Sequence, residues 1–359
     1  MYIAGMGIVF NRGRGLANLE KALIAGWVMP SATWRTPTQY QSAPGELFYQ
    51  VPAEAITDKQ VFKEARRADN FSKMATLAAF DALVDSSIPK QSKQKLGVIL
   101  ATAFGAHVTT FSFLDDILTY GDAGVSPTLF SHSVHNAAAS YIALNLQTRG
   151  PTLTMTQFAN SFHQAIILAE AWLKEKRCEY VLVGSVDQAG KVMEYICSRK
   201  LKLALDGKIK PFNFSKIPES VPGEGSAFFL VTDNVKYNKY CSISALPQGA
   251  QEEDDDLYIL DSDGMCGNEK LYSGLAKNKT PLTSYAPIFG SMLTLSSFSC
   301  MAGALMLKNQ KLYASPIKEN PRNLNISTKN ETLAVHKIKC LRYNCYQEEL
   351  IIQLRKGDA

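Results

Sequence analysis

Apolar runs without charge alternate along the chain with segments whose apolar residues recur at helical spacing. Tyr2-Ile-Ala-Gly-Met-Gly-Ile-Val-Phe10 reads as a buried strand, and 19–27 as a helix. Within 62–83, apolar residues recur at helical spacing (Phe71, Met74, Ala75, Ala78, Leu83). A second buried strand is predicted at 96–101, a helix at 137–146, a strand at 152–156 and a long helix at 161–174. Strands return at 180–184 and 226–232. Near-continuous apolar strands alternating with helices predict an α/β fold with a largely parallel sheet covered on both faces.

From about Cys241 the pattern restarts in shorter form. Strands are predicted at 257–260, 311–314, 333–338 and 350–354, with an uncharged helix at 291–307. This reads as a weak internal duplication, with 1–240 as the first half and 241–359 as a reduced second half. The acidic cluster Glu252-Glu-Asp-Asp-Asp256 and the stretch 319–330 read as solvated loops, because consecutive carboxylates lack the spacing of a cation-binding loop.

Composition narrows the classes. The 359 residues are 46% hydrophobic and 20% charged, which excludes disordered and fibrous chains. Lysine and arginine (38) exceed aspartate and glutamate (33) by five, yet no basic run exceeds two residues. That argues against nucleic acid and leaves an acidic protein partner open. Seven cysteines, at 178, 197, 241, 266, 300, 340 and 345, form no C-x-x-C pair. Neither a zinc site nor a disulfide framework is expected, and with no signal-peptide pattern at the start a reducing cytoplasmic setting is. The uncharged stretch 280–307 is long enough to span a bilayer. Its Pro281, Pro287, Gly290, Gly303 and many hydroxyls suit a helix buried among others, so no membrane span is expected.

Several segments carry a family pattern. Arg66-Arg-Ala-Asp-Asn-Phe-Ser-Lys-Met-Ala75 is similar to an R-R-x-D-x-F-x-x-x-A helix, and Leu96 to Gly105 to a strand ending in T-x-F-G. Ser133-Val-His-Asn-Ala-Ala-Ala139 is similar to an N-x-A-A helix start, and Gly150-Pro151 to the dipeptide before the nucleophile strand. Val183-Gly-Ser-Val-Asp187, Pro211-Phe-Asn213 and Pro222-Gly-Glu-Gly225 follow in order. Together they resemble the β-ketoacyl synthases of the thiolase fold. The resemblance implies two βαβαβ-type halves in a layered α-β-α-β-α architecture, and it is looser beyond residue 235, resting mainly on 289–315.

A condensing enzyme needs a thiolate at the N-terminus of a buried helix and two histidines that stabilise an enolate. By resemblance the nucleophile position is Phe158 or Ala159, yet the first cysteine of the chain is Cys178. The first histidine position falls near Asp263 and the second near Gly290-Ser-Met292. No histidine lies between Gly225 and Val335. The glycine-rich gate appears as Leu341-Arg-Tyr-Asn-Cys-Tyr346. The catalytic set is therefore expected to be absent, with no cofactor or metal implied. Cys178 and Cys197 read as packing residues. His132 and His135 lack a third ligand, and His107 and His336 are isolated.

Subunits of this family that have lost the nucleophile are chain-length factors of type II polyketide and polyene systems. The resemblance implies a heterodimer with an active β-ketoacyl synthase, the strand 152–156 pairing across the two-fold axis beside a shared acyl tunnel. The product class stays open among aryl polyene, aromatic polyketide and unusual fatty acid. Tunnel or interface candidates are Leu129, Phe130, Met155, Phe158, Asn160 and Phe162. Of these, Phe158 and Phe162 are expected to plug this subunit's own pocket. Lys63, Arg66 and Arg67 are candidates for docking an acidic acyl carrier protein. The alternative is a thiolase-fold acyltransferase or hydrolase using Ser161. Against it, Ser161 and His163 lie two apart and do not share a helix face.

Overall fold

A computed structural model describes residues 1–30, 32–34, 46–58, 61–63, 67–89, 95–121, 124–248, 255–267, 269, 275 and 279–357. Its principal strands are β1 (Tyr2–Phe10), β2 (Leu96–Thr102), β3 (Thr152–Thr156), β4 (Tyr180–Asp187) and β5 (Gly225–Thr232), then β6 (Ser242–Leu246), β7 (Leu257–Leu260), β8 (Leu282–Thr283), β9 (Lys337–Tyr343) and β10 (Glu349–Arg355). Among the described residues these form one sheet in the order β8-β7-β9-β10-β6-β1-β5-β4-β2-β3. The sheet is mixed. Parallel pairs lie toward its two ends (β4-β2-β3 and β8-β7-β9), and the middle is antiparallel. The expectation of a largely parallel sheet is corrected accordingly: β9 and β10 are joined by residues 344–348, too few for the crossover that a parallel pair requires.

Helices cover both faces. The first half supplies α1 (Leu16–Ala25), α2 (Asn70–Asp85), α3 (His107–Tyr120), α4 (Pro127–Ser133), α5 (Ala137–Leu146), α6 (Ser161–Lys174) and α7 (Lys191–Lys200), and the second half α8 (Ser296–Asn309). Strand β2 shows why its sequence carries no polar alternation. Ile99 and Ala101 enter a core with α6 and α8, while Leu96, Val98 and Leu100 enter another with α2 and α5. Gly5 and Gly7 let α2 lie directly on β1, since a Cβ at either would run into the carbonyl oxygens of Ala82 and Ala78.

Several boundaries move. The helix predicted at 62–83 starts at Asn70, because Asp69 accepts the Ser72 N–H at 2.8 Å as N-cap; Val61–Lys63 is a separate 3-10 turn. The helix predicted at 291–307 starts at Ser296, preceded by the single turn Ala286–Phe289. Of 311–314 only Lys311–Leu312 is strand, and the strand predicted at 333–338 is β9, shifted so that Leu341 to Tyr343 are paired strand and not loop. Within the acidic cluster, Asp255 is buried and paired with Lys339 at 2.8 Å, while 252–254 lie outside the described residues. No described helix is long and apolar enough to cross a membrane.

Candidate functional site

The site begins at the elbow between β3 and α6. Phe158 turns the chain there with φ at +49°, a left-handed conformation costly for a bulky residue and concentrated at functional sites. Ala159 follows, buried against Ala103 and Leu293. Ser161 closes the turn. Its hydroxyl accepts the Gln157 N–H and shares its proton between the carbonyls of Thr102 and Phe158, each contact 2.8 Å. His163 lies on the other side, against the backbone carbonyls of Leu246 and Ile351, and burial pushes its pKa down. The hydroxyl is thus spent on backbone and has no base, which removes the geometry a serine nucleophile requires.

Facing the elbow are the C-terminal ends of β7 and β9, the end of an α/β sheet where sites are built. Asp263 is buried there. It accepts the Met265 N–H at 3.0 Å and the Met292 N–H at 3.1 Å, and it pairs with Arg342 Nη2 at 3.1 Å. Arg342 also donates Nη1 to the Met292 carbonyl at 3.3 Å, and Ser291 donates to the Asp263 carbonyl. Asp261, beneath, takes a hydrogen bond from Ser299; burial pushes its pKa up to about 6 against the pull of Arg342. Asp187, at the end of β4, accepts Thr102 Oγ1, the Ala103 N–H and Thr294 Oγ1 at 2.7–2.9 Å, and burial raises its pKa too. Beside Asp187 and Met292 lies a cavity of about 30 Å³, lined also by Phe104, Met193, Met265 and Leu293 among others. That is room for roughly one water, against the several hundred Å³ of a typical ligand pocket.

The family model of the β-ketoacyl synthase N-terminal domain matches residues 1–235. The chain belongs to the β-ketoacyl synthase family. No curated protein sequence matches it. Similar solved structures include the ishigamide ketosynthase/chain length factor (TM-score 0.79, 13% identity) and a β-ketoacyl synthase from Burkholderia phymatum (0.78, 16%), each aligned over 99% of both chains. A type II polyketide synthase acyl-carrier protein in complex with its ketosynthase, bound to the hexaketide, aligns as far, at 0.79 and 13%. At these identities the likeness is one of fold, and the fold is the thiolase-like architecture of the ketosynthases.

Set in that architecture, the four segments that the resemblance singled out converge. Ala159, Asp263, Ser291 and Arg342 surround one centre, and Asn344 donates to Asn160 Oδ1 at 3.1 Å. It contains no thiol. Cys178 and Cys197 are buried elsewhere, where burial pushes their thiols up to about 11 and 12. The expected plug is corrected. Phe158 is 59% exposed, edge-on to Phe104 at 5.8 Å, because the elbow turns it outward. Phe162, one helical turn on, faces the sheet against Phe229 at 5.9 Å. Phe104 and the three methionines line the cavity instead. No shared periodicity marks those residues, since Met193 lies on α7 and the others come from three separate connections.

The absence of a disulfide framework is also corrected: Cys266 and Cys345 are bonded, 79 residues apart. Odd counting hid a pair that only the sheet brings together. Leu129 and Met155 are half-buried and Phe130 is exposed against Phe113 at 5.6 Å. Of the carrier-docking candidates Arg67 is exposed, Arg66 lies outside the described residues, and for Lys63 only the backbone is described. His132 bonds the Tyr141 hydroxyl at 2.5 Å and His135 packs under Gly105; among the described residues no metal-ligand cluster exists. One feature escaped the sequence reading: Phe111, Leu114 and Leu118 of α3 are exposed, as are Phe130, Val134, Leu144 and Leu153.

Proposed function

We propose that this chain is a catalytically silent chain-length factor: it heterodimerises with an active β-ketoacyl synthase and shapes the acyl tunnel that the pair shares. The observation that carries the reading is the centre itself. A family fold is kept around a position where Ala159, a buried Asp263–Arg342 pair and a cavity for roughly one water stand in place of a thiol, two imidazoles and an acyl pocket. Architecture is what remains for such a subunit to contribute.

A second observation supports the partner. β3 ends the sheet, bonded only to β2 among the described residues, and Leu153 on it is exposed, as are apolar side chains of α3 and α4. An uncovered apolar surface next to an open strand edge is a binding surface and an aggregation hazard when left bare. Phe130 and Phe158 are exposed and Leu129 and Met155 half-buried, which supports a role for them at a partner's tunnel; Phe162 is buried in this chain's own core and is left out. The partner's acyl carrier protein is proposed to be steered by Arg67, with Lys63 and Arg66.

The test is co-expression with a ketosynthase encoded beside this chain. We expect a stable one-to-one complex that elongates malonyl thioesters, with no acyl adduct on this chain by mass spectrometry. Acyl labelling of Ser161, or elongation by this chain purified alone, defeats the proposal.

A further inference from the structure

Two rungs join the same pair of segments above the sheet. β7 and β9 run parallel, with Leu260 beside Leu341. Asp263, just beyond the end of β7, meets Arg342 near the end of β9 in the buried ion pair, and three positions later on each segment Cys266 meets Cys345 in the disulfide. The inner rung is sealed from water. The outer one is not: Cys345 is exposed and Cys266 half-buried, whereas all five free cysteines are buried. Met265 sits between the rungs on one segment and lines the cavity. On the other, Asn344 organises the turn by accepting the N–H groups of Tyr346 and Glu348, and it donates to Asn160 at the elbow. Gln347 Nε2 adds a weaker tie to the Gly267 carbonyl at 3.0 Å.

We propose that Cys266–Cys345 is a thiol-exchange site that latches this centre shut. The bond ties the segment that carries Met265 to the 344–348 turn, so its redox state decides whether Met265 stays over the cavity or swings away from it. The chemistry needs a dithiol reductant. One of its thiolates attacks the exposed Cys345 sulfur, the S–S bond breaks, and Cys266 leaves as a thiolate that takes up a proton. The second thiol of the reductant then resolves the mixed disulfide and releases Cys345 as a thiol. The reductant departs as a disulfide, its two electrons now on the two cysteines. The ion pair beneath holds the strands together throughout, so opening is local. The latch acts on this chain's own centre and goes beyond the proposed partnership; it needs no partner to be observed.

The whole chain, purified without reductant, is compared with and without a small dithiol. We expect native alkylation after reduction to modify Cys266 and Cys345 and to spare the buried five. Amides at 263–267 and 344–348 should exchange roughly tenfold faster than in the oxidised protein, and reoxidation should restore protection. The double variant Cys266→Ser/Cys345→Ser should exchange like the reduced protein and ignore the reductant. If that variant does not fold, the wild-type comparison still decides. Free thiols at both positions before reduction, or full reduction with unchanged exchange in both segments, overturns the latch.

Discussion

Arg342 and Asp263 show how a charged pair can occupy a reaction centre without being reactive. Each side chain is at most 3% exposed, so the pair is desolvated and each group is the other's partner. Removing one partner leaves a bare buried charge: Arg342→Met should cost about 3–5 kcal/mol in urea unfolding. Adding Asp263→Asn removes that charge while its single amide oxygen still accepts one of the two N–H groups, Met265 or Met292, that the two carboxylate oxygens hold in the parent. Part of the loss should then return. Additive losses in the double variant would mean that the two residues do not act as a pair. Asp261 works in the opposite sense. Its folded pKa, raised to about 6, means that the native state holds the proton more tightly than the unfolded chain. Its contribution is complete below about pH 4 and is lost as pH rises through about 6, a decline on the order of 3 kcal/mol. Asp261→Asn keeps the acceptor for Ser299 and should flatten that decline, leaving the variant more stable than the parent at pH 7 by chemical denaturation.

Among the elements, β3 and α6 were legible and α3 was not. β3 and α6 fall at 152–156 and 161–174 as the sequence predicts, because α6 packs one clear apolar stripe of Phe162, Ala165, Ile166, Ala169 and Leu173. Helix α3 gave no such signal: apolar Phe111, Leu114 and Leu118 are exposed on it, so they mark no inward face. The centre was half legible. Spacing from fixed motifs pointed to Phe158 or Ala159, to the neighbourhood of Asp263 and to 290–292, but the residues that line the cavity, and the bond between Cys266 and Cys345, depend on long-range placement. The exposed elements are also where the partnership is testable. Leu153→Lys sets a charge on the open edge of β3 without touching a core. The variant should fold with unchanged thermal stability and bind a cognate ketosynthase at least about tenfold more weakly. Unchanged affinity in a pull-down or by calorimetry would move the interface away from β3.

The molecule as a whole does not divide where its sequence pattern restarts. β1 at the start of the chain pairs with β6 just past residue 240 through Tyr2 and Ser242, and the Ile3 N–H donates to the Cys241 carbonyl at 2.9 Å. Helix α8 makes the dependence stronger. Its residues from Ser296 to Leu307 are all buried, and it packs on α1, α6 and β5 of the first half as well as on β7, β9 and β10 of the second. Phe289 and Phe298 stack against each other at 5.2 Å, and Phe289 meets Phe10 at 5.7 Å, so aromatic packing crosses the same boundary. A fragment ending at residue 240 would therefore keep the family motifs and lose one wall of its main core, exposing β1, β5 and the inner face of α6 to water. Expressed alone, it should be insoluble, or bind a hydrophobic dye and lack near-ultraviolet dichroism. The full chain should unfold in a single cooperative transition, with fluorescence and circular dichroism coinciding. A fragment that folds with native dichroism, or two separated transitions in the full chain, would make the halves independent domains. It would also detach the centre described here from the sheet that builds it, because Ala159 and Asp263 come from opposite sides of that boundary.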